Sequence, residues 1–248
     1  MKQVLSFLVF AQFNAFVIAG EPQLPEPIAR MTAEEQIRIV ISYVDEGFPF
    51  PSGSITVDGA HFERGSLVAH IMRARSESLI PMITERIKLE RRKDKPSKVL
   101  VLTLATLIST AGTEQSLETM VRLFSSDAAL LRAEVTSVLS EALDVDWKRG
   151  FTVLYKAHES KESSVRLAAG DVSRGTFGAG PSSQEIWDAW VDALLLRHKR
   201  YPSDVEMRDD PIVVAVEGRS MSVAYDIRRR IVERANELRS LRQKGEAK

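Results

Sequence analysis

The sequence predicts an all-α protein: a short α-solenoid of stacked helix pairs, a helical cap before it, a long C-terminal helix after it and at most a minor β-hairpin. Three observations carry this. Apolar residues fall at helical spacing in segments that recur roughly every 35 residues. The last stretch of chain carries one long apolar stripe. The 248 residues are 44% hydrophobic and 27% charged, the balance of a folded chain rather than a disordered one.

Lys2 followed by an uncharged, mostly apolar run from Val4 to Ile18 reads as a secretory signal at residues 1–19. Val17-Ile18-Ala19 suits cleavage after Ala19, with Gly20 as the neighbouring site. The run is too short for a spanning helix, which needs about 20 apolar residues. Residues 20–30 hold Pro22, Pro25 and Pro27 and read as an extended linker.

Residues 31–75 read as N-terminal helices and a loop. Thr32 with Glu35 forms a capping box, and Ile37, Val40, Ile41 and Val44 line one face of a helix from Thr32 to Asp45. Gly47 to Gly53 is a proline-rich loop, followed by strand-like Ser54–Val57 and a turn at Asp58-Gly59. Phe62 to Arg75 reads as a second helix with Leu67, Ile71 and Met72 inward.

Residues 76–199 carry the repeat. Leu79, Leu117, Phe151 and Ile186 lead four similar helices and lie 38, 34 and 35 residues apart. Between them Leu100, Leu104 and Leu107 match Leu131, Val135 and Val138, then Val165, Ala169 and Val172. Steps of four then three put each trio on one helix face. A single pair of this kind cannot bury that face, whereas stacked pairs can. Asp127 to Ala133 and Glu162 to Ala169 then show an acidic opener, an apolar-Arg pair (Leu131-Arg132, Val165-Arg166) and small residues. This pattern resembles the second helix of HEAT repeats. The resemblance implies a helical stack over residues 76–199 and says almost nothing of function. The first unit departs from it, with Val101 at the Arg position and Lys95-Pro96-Ser97 in place of the acidic opener.

Residues 200–221 read as a loop whose Pro211–Val216 part is β-prone and a candidate to pair with Ser54–Val57. Residues 222–248 read as an amphipathic helix with Val223, Ile227, Ile231, Leu238 and Leu241 as its stripe.

The chain has 34 basic and 34 acidic side chains. Removing residues 1–19, with Lys2 as their one charge, leaves 33 against 34. A chain this close to neutral exerts little overall pull on nucleic acid or anionic lipid. Cysteine is absent, which excludes disulfides, thiolate nucleophiles and Cys-ligated metals. His61, His70, His158 and His198 show no metal-helix spacing, and His158-Glu159 lacks the second His of a zinc-protease helix. Gly170 to Thr176 has the glycine spacing of a phosphate loop without its Lys, and the glycines at 175, 178 and 180 read as an inter-repeat turn. No catalytic group, metal or cofactor is expected.

The sequence therefore favours an exported, non-catalytic interaction scaffold of the cell envelope with a protein partner. Its candidate contact is Phe48, Phe50, His61 and Phe62, where two aromatics alternate with Pro49 and Pro51 on a stiff loop. Arg132 and Arg166 are expected to be structural, bonding carboxylates and helix-end carbonyls of neighbouring units. The basic C-terminal helix could meet an acidic partner, and Lys88–Lys98 forms a second basic cluster. The alternative is an envelope enzyme with a site between the 47–62 and 200–220 loops.

Overall fold

The computed structural model describes residues 24–45 and 54–246. The signal, the cleavage site, the first part of the linker, and Phe48 with Phe50 lie outside the described residues. The chain is mostly helical, at 77% helix, with thirteen helices and one small two-stranded sheet among the described residues.

The N-terminal part holds α1 (Glu26–Ala29), α2 (Ala33–Asp45), β1 (Ser54–Val57), β2 (Ala60–Glu63) and α3 (Arg64–Ala74). Residues 20–30 are thus not wholly an extended linker. Pro27 sits in the first turn of α1, where its missing N–H has no helical partner to lose. Thr32 and Glu35 close the capping box of α2, with Thr32 N–H donating to Glu35 at 2.8 Å and Glu35 N–H donating to Thr32 at 3.2 Å. The β-hairpin is β1 with β2, antiparallel, Val57 opposite Ala60 across Asp58-Gly59. Both turn residues have positive φ, 49° and 80°, the conformation a tight two-residue hairpin needs. Phe62 belongs to β2, so the second helix starts two residues later than expected, capped by the Glu63 carboxylate on the N–H groups of Gly65 and Ser66.

The middle holds α4 (Ser76–Arg91), α5 (Lys98–Ser109), α6 (Glu114–Phe124), α7 (Ala128–Val145), α8 (Trp147–His158), α9 (Ser163–Phe177) and α10 (Gln184–His198). Ser97, Thr113, Asp127, Asp146 and Ser183 each cap the helix they precede. Glu162 occupies the cap position of α9 without bonding it through its side chain. Leu79, Leu117, Phe151 and Ile186 are buried, as are Leu104, Val135, Val138 and Val172.

The end of the chain corrects the sequence reading. Residues 200–221 are not a loop: they fold as α11 (Asp204–Arg208) and α12 (Pro211–Glu217), followed by α13 (Met221–Glu246). Pro211–Val216 does not pair with Ser54–Val57. Pro211 opens α12 and Asp210 caps it, accepting from Ile212 N–H at 3.0 Å and Val213 N–H at 3.1 Å. Ile212, Val213 and Val216 are buried, so tertiary packing overrides their strand preference. The stripe of α13 also differs: Ala224, Ile227, Ile231 and Ala235 are buried, whereas Leu241 is exposed. The two alanines let α13 approach its neighbours closely.

Two rows of packing run along the chain. Helices α4, α6, α8, α10 and α13 each contact the next of that set, and α3, α5, α7, α9 and α12 do the same. Consecutive helices α4–α5, α6–α7, α7–α8, α8–α9 and α12–α13 tie the rows together. One buried apolar cluster extends from Ile28 to Ala235.

Candidate functional site

The expected contact set is not assembled as one face in its described part. His61 and Phe62 are neighbours in a strand, so their side chains point to opposite faces. Phe62 packs partly buried against the core. His61 is exposed, its Nδ1 2.8 Å from the Thr56 hydroxyl across the hairpin. Nor do the described parts of the two expected enzyme segments converge. The hairpin packs on α3, while α11 and α12 pack on α8, α9 and α13.

Arg132 and Arg166 do different work. Arg132 on α7 bonds both its Nε (2.8 Å) and Nη2 to the Asp171 carboxylate on α9, a bridge between successive helices of one row. Arg166 on α9 instead turns back, donating to the Ser160 and Lys161 carbonyls at 2.7 and 2.8 Å. It fastens its own preceding turn rather than a neighbouring unit. The expected partner in a neighbouring unit is met by Arg132 and not by Arg166, since Asp171 is the α9 residue that reaches Arg132 on α7.

An open groove of 360 Å³ runs along α6 and α8, lined by Leu117, Glu118, Val121, Lys156, Glu159 and Ser160. Leu117 and Val121 lie one turn apart on α6 and give it an apolar floor. Lys156 crosses it to Glu114 at 2.5 Å and Glu118 at 2.6 Å. Those hydrogen bonds, to Glu114 first and Glu118 second, hold the Lys156 ammonium above its ordinary pKa. It is therefore held as a cation between two carboxylates. Glu159 pairs with Arg197, whose guanidinium stacks 4.2 Å from the centre of the Tyr155 ring. Farther on, Arg200 and the Ser203 backbone hold the Glu206 carboxyl down at about 2.

Beneath that surface lies an enclosed polar network. Trp190 Nε1–H donates to the Tyr155 hydroxyl at 2.8 Å, and that hydroxyl donates to Asp210 at 2.7 Å. The other Asp210 oxygen caps α12. Phe151, Phe177 and Trp190 pack around it at centroid distances of 4.9 to 5.3 Å. Burial raises the pKa of both Asp210 and Tyr155. His158 is also desolvated, bonds Ser173 at 2.9 Å and is pushed down to about 4, with Arg197 and Arg174 adding to the effect. Buried and mutually satisfied, the Trp190–Tyr155–Asp210 network holds α8, α10 and α12 together.

A third group lies on α7. Desolvation raises the Glu134 carboxyl to about 7, and its bond from the Ser109 hydroxyl, at 3.3 Å, opposes this only in part. Glu141 is raised by burial against the attraction of Arg73, which it meets at 2.6 Å. Arg73 also donates to the Thr110 carbonyl at 3.2 Å, so α3, the α5–α6 turn and α7 share one ion pair. Perturbed carboxylates mark functional sites often enough to be tested for one. Here no group of three or more metal-ligating side chains gathers among the described residues.

Most arginines of the C-terminal helix contact a neighbouring element. Arg228 pairs with Glu217, Arg234 with Asp188 at 2.6 Å, and Arg242 with Asp192 at 3.5 Å. Arg230 lies over Trp187, and Arg239 and Arg242 flank the Tyr201 ring. An acidic partner at α13 would compete with these contacts. Along this helix a shallow hollow of 520 Å³ is lined by Glu233, Arg234, Asn236, Glu237, Ser240 and Leu241.

Sequence reasoning missed Tyr155 and Asp210, which are 55 residues apart. One local signal was present: Asp210-Pro211 has the cap-then-proline order of a helix start. Among the described residues no helix is long and apolar enough to cross a membrane. No protein-family model, curated protein or solved structure matches the chain.

Proposed function

We propose that this chain is an exported, non-catalytic interaction scaffold, built as a short α-solenoid of HEAT-like helix pairs, that holds a protein partner in the α6–α8 groove. The groove itself carries the reading. It is open, its floor is aliphatic, and Lys156 is held in its charged form by Glu114 and Glu118. A catalytic cleft needs groups tuned toward exchange of a proton, and the shifted groups His158 and Glu134 lie outside the lining of this groove. The two rows of helices supply the architecture, since each unit packs on its neighbours and leaves a continuous outer face. The Lys2-led apolar run supports export.

The test uses a photo-reactive residue at Val121, compared with one at Val205, which is 67% exposed on α11. In the envelope fraction of the native host, Val121 is expected to cross-link a protein that Val205 does not. Val121→Glu is expected to abolish capture of that protein while far-UV circular dichroism and melting temperature hold. Identical cross-links from both positions, or a Val121→Glu chain that still captures the protein, would overturn the proposal.

A further inference from the structure

We infer that the turn joining α4 to α5 is a docking surface for an anionic lipid bilayer. Every residue from Arg91 to Val99 is exposed, so the turn stands out from the molecule. From Glu85 to Lys98 seven basic side chains stand against Glu85, Glu90 and Asp94, a local excess of four on a chain that is neutral overall. Glu85 and Glu90 neutralise Lys88 and Lys93 at 2.5 Å each. Lys95 and Lys98 form no ion pair among the described residues, and Arg92 acts on Glu85 only through its charge.

Apolar side chains stand beside these charges. Leu89 at the end of α4 and Val99 at the start of α5 are 60% and 59% exposed, and Leu102, one turn further, is 40% exposed. The turn that presents them is held firmly. The Glu90 carboxylate accepts the Ser97 N–H at 2.8 Å, and the Ser97 hydroxyl accepts the Leu100 N–H at 3.2 Å. The last turn of α4 and the first turn of α5 therefore lie side by side, bringing Leu89 and Val99 to the same end of the hairpin.

Cations around protruding aliphatic side chains fit the boundary between lipid headgroups and acyl chains. A protein partner fits less well. The centres of protein interfaces are depleted in Lys and enriched in aromatics, and this turn is rich in Lys with no aromatic residue from Arg86 to Leu102. The missing aromatics also disfavour single-stranded nucleic acid, which stacks its bases on them. The inference is independent of the α6–α8 groove.

Because the chain lacks cysteine, one engineered cysteine reports on one place in the full-length protein. Val99→Cys carrying an environment-sensitive nitrobenzoxadiazole dye is mixed with vesicles of phosphatidylcholine alone or containing phosphatidylglycerol. Its emission is expected to shift to the blue with the anionic vesicles only, and to return on adding salt. The same dye at Leu167→Cys, an exposed position on α9, is expected to stay unchanged. Adding Lys95→Glu and Lys98→Glu to the Val99→Cys chain is expected to remove the shift with the circular dichroism unaltered. Adding Leu89→Ser is expected to weaken vesicle binding several-fold at equal salt. No shift at Val99, an equal shift at Leu167, or a shift that survives charge reversal would each overturn the inference. An equal shift with heparin in place of vesicles would also overturn it, pointing to an acidic polymer instead.

Discussion

At the scale of single residues, two buried titratable groups give the molecule opposite pH dependences. Glu134 has its carboxyl raised from 4.5 to about 7 by desolvation, so the folded state holds the proton more tightly than the unfolded state. Its stabilising effect is complete below pH 4.5 and is lost as pH rises through 7. Glu134→Gln, which cannot ionise, is expected to exceed the native protein in stability at pH 8 by up to about 3 kcal/mol. Urea titrations at pH 8 and pH 4.5 check this, and the gain should vanish at the lower pH. His158 runs the other way, lowered from 6.5 to about 4 by burial and two arginines. Its stability is present above pH 6.5 and is lost as pH falls toward 4, and His158→Gln is expected to flatten that acid limb. The repeat arginines differ in weight. Arg132–Asp171 is partly exposed on both sides, so Arg132→Ala should cost below about 1 kcal/mol. Arg166 satisfies two carbonyls of a tight turn, and Arg166→Ala should cost about 1–2 kcal/mol and lower the melting temperature.

At the scale of elements, α12 depends on one carboxylate. Asp210 accepts the first free N–H groups of the helix and the Tyr155 hydroxyl, which in turn accepts from Trp190. Asp210→Ala would leave these donors buried and unpaired, at a cost of about 3 kcal/mol or more. A thermal melt checks this, and an Asp210→Ala chain that melts like the native one would show the network to be incidental. The turn between α5 and α6 depends on a missing side chain. Gly112 has φ of 57°, and a Cβ there would lie 2.7 Å from the Ala142 backbone nitrogen. Gly112→Ala should therefore push α7 away from that turn and destabilise the fold. Val135, fully buried between rows, should tolerate a charge no better, and Val135→Asp is expected to cost several kcal/mol, on the order of a buried unpaired carboxylate.

At the scale of the whole molecule, the buried apolar cluster runs without a break from Ile28 to Ala235. Helix arrays can unfold piecewise when the junction between units is weak. Here α7 packs on four neighbours, α5, α6, α8 and α9, which couples the two ends. The three tryptophans, at 147, 187 and 190, report only on the later helices, whereas far-UV circular dichroism reports on all of them. Their denaturation midpoints are expected to coincide. Two separated midpoints would show that the continuous core does not make the array one cooperative unit.

The sequence by itself determined the helices whose instructions are local. Caps at Thr32, Ser97, Thr113, Asp127 and Ser183 lie within three residues of the N–H they bond, and a three-four apolar step decides which face turns inward, so both are legible along the chain. The Asp58-Gly59 hairpin turn is legible for the same reason. Tertiary structure alone decided the end of the chain. Ile212-Val213-Val214 reads as strand until α9 and α13 are present to bury it as a helix, and no local window contains that information. It likewise decided that Ala224 and Ala235, rather than Leu241, face inward, because small residues are chosen by how closely the neighbouring helix approaches. The candidate groove shows the same division: the phase of Leu117 and Val121 is written in the local apolar pattern, but Lys156 reaches Glu114 and Glu118 across about 40 residues only because α6 packs against α8.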